Sequence, residues 1–435
     1  MTRPVPALPS PGVTASGSGA RLLAGWYATG RPDALVDHLR RHGPLPAQPS
    51  LVEAVEAAGL TGRGGAGFPA GRKLRSVAAR ARRAVVVANA MESEPASRKD
   101  AVLLAVAPHL VLDGVVLAAG AVDADVVHVC VSRARPAQFR RLEAALGERR
   151  RARLDPVRLR LHALPHAYVS SESTSLVRWL DGGPARPRGT PPRSHERGVG
   201  RRPTLVHNAE TLAHVALIAR HGPAWFRGAG TCEEPGTVLV TVSGAVAAPG
   251  VLESAPGVPV ALLLDRAGGA ARAPQAVLLG GFAGAWLPAS ALDTPFTRRD
   301  LAPWGASPGA GVLVVLPEGA CGLAETARML AYLAAQSARQ CGPCRLGLPA
   351  VAGDFAALAA GRADSELPAR LHRRTALLPD RGACRHPDGA ARLAASALRT
   401  FADDAGRHLA GFPCAGARRP ATTAVPPAVP PETWQ

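Results

Sequence analysis

Leu60-Thr-Gly-Arg-Gly-Gly-Ala-Gly-Phe-Pro-Ala-Gly-Arg-Lys-Leu74 is the stretch on which the reading of the fold turns. Gly62, Gly64, Gly65, Gly67 and Gly71 fall within ten residues, so positive φ is cheap and no side chain blocks the backbone. Successive N–H groups in such a loop can converge on an anion, and Arg63 and Lys73 add cationic donors. Gly62-x-Gly64-x-x-Gly67 fits the dinucleotide fingerprint, but that pattern needs a strand before it, and Leu51–Leu60 reads as helix. A Walker A loop needs Gly-Lys-Ser/Thr, whereas Arg72 separates Gly71 from Lys73. The stretch is a phosphate cradle of neither common kind.

Composition points to the same place. Lys73 and Lys99 are the only lysines; every other basic side chain is arginine. Lysine survives such replacement where a compact point charge is needed and a planar fork will not serve. The 435 residues suffice for two to four domains with substantial cores. Hydrophobic content of 47% and a mean hydropathy near zero indicate a globular chain. No run of eighteen apolar residues is present, and the Pro/Ser/Gly-rich N-terminus is no signal peptide. The net charge of +18 suits acidic partners or anionic ligands. Dispersed arginines and only 4% aromatics argue against nucleic acid. Seven cysteines in a chain of this size suggest a reducing cytoplasm.

Outward from the loop, Leu74–Arg83 reads as a basic helix and Ala84–Ala88 as a buried strand. That strand runs into Asn89-Ala-Met-Glu92-Ser-Glu94-Pro95, a polar loop where open α/β sheets bind ligands. The bland alternative is a helix start whose glutamates complement the dipole. Asp100–Ala124 reads as one long apolar helix, Asp125–Ser132 as a strand, Ala137–Leu146 as a helix and Val157–Ala163 as a strand. Ser170–Thr174 leads into a helix, Pro184–Arg202 is a loop, and a helix follows Asn208. This strand–helix alternation predicts an α/β domain. From Gly236 strands predominate (Gly236–Val246, Ala276–Gly281, Gly311–Leu316), with a helix at Val260–Ala267 and a turn at Pro249-Gly250. From Cys321 the pattern is helical, and the Pro-rich tail from Arg418 is expected to be disordered.

Cys341-Gly-Pro-Cys344 is either a thioredoxin-type dithiol or part of a metal site with Cys384. The dithiol needs a βαβ context, and helix precedes it here. Cys130 reads as core packing, and Cys232, Cys321 and Cys414 have no partner spacing.

Together these motifs resemble the NuoF-like flavin-bearing, NADH-oxidising subunit of complex I, a family that extends to soluble hydrogenases and formate dehydrogenases. The resemblance covers roughly Arg21 to Leu409. It implies an α/β fold of three parts: a Rossmann-like FMN/NAD domain over 21–235, a β-grasp (ubiquitin-like, SLBB) module over 236–318, and a helical iron–sulfur domain over 319–416. Residues 1–20 and 417–435 would be disordered flanks. Gly62, Arg63, Gly64, Gly65, Gly67, Phe68 and Lys73 match the family's FMN loop, with Lys73 on the phosphate and Phe68 near the nicotinamide. Asn89, Glu92 and Glu94 match a flavin segment in which Met91 replaces an acidic residue; the two glutamates are the candidate catalytic groups. Tyr168, Glu172 and Thr174 match another, with Ser171 and Ser173 as departures. His207, Asn208 and Thr211 match a third, His207 replacing an asparagine.

On the dinucleotide side, Ser76 stands for an aromatic, and Thr190-Pro-Pro-Arg193 for Lys-Pro-Pro-Phe, which makes NADPH or other donors thinkable. Cys341, Cys344 and Cys384 match three cluster ligands, while Ala338 occupies the first ligand position. Three ligands would hold a [3Fe–4S] cluster, a [4Fe–4S] cluster with an exogenous or Ser337 ligand, or nothing stable. The implied activity is transfer of hydride from NAD(H) to FMN, then of single electrons through a cluster to a partner or quinone. The implied partners are an acidic ferredoxin-like or thioredoxin-like [2Fe–2S] subunit and other electron-transfer subunits, with no nucleic acid and no membrane insertion. The setting is cytoplasmic, peripheral to the inner membrane face through partners. The rivals are a non-catalytic scaffold and a flavin enzyme without a cluster.

Overall fold

The computed structural model describes residues 19–47, 49–80, 83–189, 191–362, 364–430 and 433–435. The first sheet is built from β1 (Ala84–Ala90), β2 (Ala124–Ser132), β3 (Arg158–Leu164) and β4 (Thr204–Asn208), all parallel, in the order β3-β2-β1-β4. β1 is β-branched and buried on both faces. Val86 and Ala88 face the large helical layer, while Val85 and Val87 face a smaller cluster with Met91 and Leu176. Burial on both faces is why this strand shows no alternation.

The apolar stretch after Lys99 is two helices, Lys99–Val106 and Pro108–Ala121, bent by 96°. The single long helix expected there breaks because Pro108 has no N–H and disfavours a helical conformation at Ala107, whose φ is −135°. No single helix among the described residues is long and apolar enough to cross a membrane. This bent pair passes on length and composition together, but both of its helices are largely buried. The helix expected at Leu74–Arg83 spans Ala70–Ala78, so Lys73 lies in its first turn. Of that expected range, residues 81 and 82 lie outside the described residues. β4 precedes the helix expected after Asn208, which runs Ala209–Arg227.

A second, mixed sheet contains β5 (Val238–Gly244), β6 (Gly250–Ser254), β7 (Pro274–Leu279), β8 (Ala285–Pro288) and β9 (Val312–Pro317), in the order β6-β5-β9-β7-β8. β6 and β8, missed from sequence, are short. One face covers the Val260–Arg266 helix through Val240, Val242 and Leu313. The other, through Leu278, Val314 and Trp286, packs on the C-terminal helices beginning with Gly322–Ala335.

Residues 1–18 lie outside the described set, and the described part of the Pro-rich tail over 417–435, largely exposed, touches the protein at a few points. The N–H groups of Thr422 and Thr423 donate to the Glu325 carboxylate, and Trp434 is fully buried against Ala167, Val169 and Ala338.

Candidate functional site

The strand order reverses at β1, which lies between β2 and β4, and ligands bind such sheets beyond the carboxyl ends at the reversal. Asn89 of β1 and Asn208 of β4 are register partners at that end. The glycine loop lies over them: a Cβ on Gly64 would stand 3.5 Å from that of Asn208. The loop is closed by a bridge between Thr61 and Pro69, and the Gly62 N–H donates to the Phe68 carbonyl at 2.9 Å. Gly65 (φ 103°) and Gly67 (φ 64°) turn the backbone left-handed, and the N–H groups of Gly64, Gly65 and Gly67 have no acceptor among the described residues. Donors so arranged suit an anion.

The two lysines differ in how they are satisfied. Lys99 is buried with its ammonium 2.7 Å from Asp100, 2.9 Å from Glu210 and 3.2 Å from Asn208 Oδ1. Burial opposes its charge, yet these carboxylates hold its pKa above the usual lysine value. Lys73 is half-buried, donates only to the Val206 carbonyl at 3.0 Å and lies 5.9 Å from the centre of the Phe68 ring. It has no carboxylate partner among the described residues, and burial around its ammonium lowers its pKa. A desolvated cation with spare donors is stabilised only if an anion joins it. Next to it His207 is buried, with Nε2 unpartnered among the described residues, and burial followed by the Lys73 charge keeps the ring neutral.

Other expected contacts are engaged within the protein. The buried Arg63 guanidinium donates to Thr61 Oγ1 at 3.2 Å and to the Pro235 carbonyl at 3.1 Å, while its N–H donates to Thr211 Oγ1 at 2.9 Å. Arg63 and Thr211 therefore brace the loop. Asn89 Nδ2 donates to the Ser171 carbonyl at 2.8 Å; Asn208 caps its helix through Glu210 N–H and donates to Asp100 at 2.6 Å. No motif pointed to Arg298, which reaches from the second sheet's domain to donate to the Gly65 carbonyl at 3.0 Å. It lies beside a cleft lined by Gly62, Glu210, Phe296 and Gly309.

The carboxylates separate in role. Glu92, at φ 37°, accepts from Ser97 Oγ (2.8 Å), Asp100 N–H (2.8 Å) and Ala101 N–H (3.1 Å), with Arg135 at 3.3 Å. It accepts from two N–H groups in the first turn of the Lys99–Val106 helix and so caps it. Glu172 likewise caps Ser173–Leu180, accepting from the N–H groups of Thr174 and Ser175. Glu94 accepts from Phe282 N–H at 3.0 Å and from Tyr168 Oη at 2.9 Å, and burial pushes its pKa up to about 7. Gly281 (φ 89°) must be glycine there, since a Cβ would stand 2.3 Å from the Glu94 carboxyl carbon. Both oxygens of Glu92 and of Glu94 are engaged within the protein. Phe68 is 41% exposed on the loop. Ser76 donates to the Arg72 carbonyl, Arg193 is exposed, and Met91 turns into the core; Thr190 lies outside the described residues.

Tyr168 links this site to the cysteine corner, its ring 5.3 Å from His386 and 6.3 Å from Tyr332. The three expected thiols converge. Burial raises the pKa of Cys344, and the neighbouring Cys341 and Cys384 raise it further. Cys384 is pushed up to about 11, by burial first and then by Glu172 and Cys341. The fourth position is apolar: Ala338 is buried beside Trp434, whose carbonyl accepts from Ala185 N–H at 2.8 Å. Ser337 is buried and its hydroxyl is 3.4 Å from the Cys344 carbonyl. The residues fit an iron–sulfur group held by three thiolates and do not supply a fourth cysteine.

Residues 55–217 match the Nuo51 FMN-binding domain, and residues 324–408 the iron–sulfur binding region of NADH-ubiquinone oxidoreductase-F. One relative, the second of the F subunits of NADH-quinone oxidoreductase in Rhizobium meliloti, is 32% identical over 340 residues, 75% of this chain and 80% of the relative. The F subunit of the Mycobacterium tuberculosis NADH-quinone oxidoreductase is 32% identical over 381 residues, 84% and 85% of the two chains. A chain in the crystal structure of an NAD+-reducing [NiFe]-hydrogenase in the H2-reduced state superposes with a TM-score of 0.78 at 30% identity, covering 91% of this chain and 67% of the other.

Proposed function

The chain belongs to the family of NADH-quinone oxidoreductase F subunits, and on that premise we propose how its own residues serve that work. It is an oxidoreductase subunit of the NADH dehydrogenase type, with an FMN-binding domain and an iron–sulfur binding region. FMN, when bound, supplies the conversion of a two-electron hydride into single electrons. Lys73 and the free N–H groups of Gly64, Gly65 and Gly67 hold its phosphate. His207 stays neutral beneath it, and Asn89 and Asn208 floor the site. Phe68 offers an aromatic surface to the nicotinamide. Glu92 and Glu94 act by positioning, the first through the helix it caps and the second through Tyr168. Cys341, Cys344 and Cys384 hold the iron–sulfur group.

The observation that carries this reading is Lys73, a cation at the carboxyl end of the sheet without a counter-ion among the described residues, in the helix that follows the glycine loop and its unpaired backbone donors. The finer architecture follows the family: an FMN domain over 21–235, a β-grasp (SLBB) module over 236–318 and a helical domain over 319–416. The mixed sheet order and the helices packed on it support that division. The positive surface suits an acidic [2Fe–2S] partner, and the setting is cytoplasmic, peripheral to the membrane through partners. A scaffold without catalysis is the second reading, favoured by Ala338.

Anaerobic purification and an absorption spectrum with NADH and NADPH test both. Flavin bands that bleach with nucleotide support the oxidoreductase. A colourless chain that takes up no FMN on reconstitution overturns it in favour of the scaffold.

A further inference from the structure

Cys321, His408 and Cys414 have no spacing that links them in sequence, yet the fold gathers one ligand atom from each within 4.8 Å of the others. Cys321 caps the Gly322–Ala335 helix, its Sγ accepting from Ala324 N–H at 3.4 Å and lying 3.9 Å from His408 Nε2. His408 is fully buried in the Ala402–Leu409 helix. Its Nε2 accepts from Cys414 N–H at 3.0 Å, which places the ring proton on Nδ1, donated to the Leu358 carbonyl at 3.1 Å. Metal-ligating histidines are held in this way, one nitrogen fixed by a carbonyl and the other presented to the metal. Cys414 is half-exposed, and no disulfide joins it to Cys321.

We propose that Cys321, His408 and Cys414 form a zinc site, separate from the cysteine corner, that ties the start of the Gly322–Ala335 helix to the segment entering the tail. Two soft thiolates and an imidazole select a tetrahedral zinc, with bonds of about 2.3 Å to sulfur and 2.0–2.1 Å to nitrogen. Those bonds set ligand–ligand edges of roughly 3.5–3.8 Å, against 3.9 Å between Cys321 Sγ and His408 Nε2 and no more than 4.8 Å for the other pairs. Water takes the fourth position on the exposed side of Cys414. Loading exchanges two thiol protons for one divalent cation, with no change of oxidation state. The His408 lone pair passes from Cys414 N–H to the metal, which costs that hydrogen bond. The tail contacts at Glu325 and Trp434 lie downstream, so the site fixes the geometry from which the tail crosses back to Ala338.

The test uses the full chain, loaded with zinc, desalted and assayed for zinc and iron together. One zinc per chain is expected, retained in Cys341→Ser/Cys384→Ser and held at least about 1,000-fold more weakly in Cys414→Ser, beyond the 10- to 100-fold of outer-shell losses. FMN content should be unchanged in Cys414→Ser. Should that variant misfold, iodoacetamide labelling of the unaltered chain decides: zinc should shield Cys414, and a chelator should expose it. Equal labelling with and without zinc, zinc lost with Cys341 and Cys384, or an intact mass two hydrogens low from a Cys321–Cys414 disulfide would each overturn the proposal.

Discussion

The switch point of the parallel sheet and the cysteine corner of the helical domain face each other across Tyr168, and they depart from family pattern in different ways. At the switch point the substitutions leave the anion cradle whole: glycine N–H groups without acceptors and a Lys73 without a carboxylate among the described residues, and a neutral His207. At the corner a ligand is gone, and its place is filled by Ala338 packed against Trp434. A cradle of backbone donors tolerates change around it because its chemistry is main-chain. A thiolate site has no such reserve, since each ligand is a single side chain.

The largest test of that contrast is Lys73→Ala. It should weaken FMN by about 3 kcal/mol or more, over 100-fold, because a charged partner of the phosphate is lost. Fluorescence titration with FMN would measure this. The flavin-free variant should gain stability in urea, since a desolvated cation disappears, and iron content should not change. A Lys73→Ala protein as yellow as its parent would break the comparison at its stronger end.

Next is Glu94→Gln. Glu94 has its pKa raised from 4.5 to about 7, so between those values the folded state holds a proton that the unfolded state has released. Its contribution to stability is present below pH 4.5 and is lost as pH rises through 7, on the order of 2–3 kcal/mol. Urea melts at pH 5 and pH 8 should show Glu94→Gln losing less stability than the parent across that interval.

Ala338→Cys sharpens the other end: analysis after anaerobic reconstitution should find one more iron per chain, with Trp434 giving way. No gain in iron would mean that the corner is closed to a fourth thiolate by more than one residue. The smallest effect expected is from Trp434→Ala, which uncovers Ala338 and should speed loss of iron in air a few-fold while FMN affinity holds.

How far the sequence could be read follows from the range of each contact. The glycine loop, β1 and the three corner cysteines were legible because their chemistry is local or spaced in a recognisable pattern. β4 was hidden because five residues run directly into the cap of a long helix. Pro108 was a visible signal that the apolar composition around it outweighed. Arg298 at the glycine loop, and Cys414 beside Cys321, are meetings across 233 and more than 90 residues that no periodicity records. The roles of Glu92 and Glu172 were open at the level of residue type, because a capping carboxylate and a ligand-facing one look alike in sequence. The contact of Trp434 with Ala167 and Ala338 is another long-range meeting that the proline content of the tail does not record.

The scarcity of lysine has a practical side in proteolysis. A lysine-specific protease has only two sites in this chain, after Lys73 and Lys99, one half-buried against the sheet and the other locked among carboxylates. The native protein should therefore resist cleavage until the switch point itself opens, and should then yield fragments ending at these two positions. Each cut reports a single local event, so digestion with and without FMN would read the opening of the cradle directly, peptide by peptide.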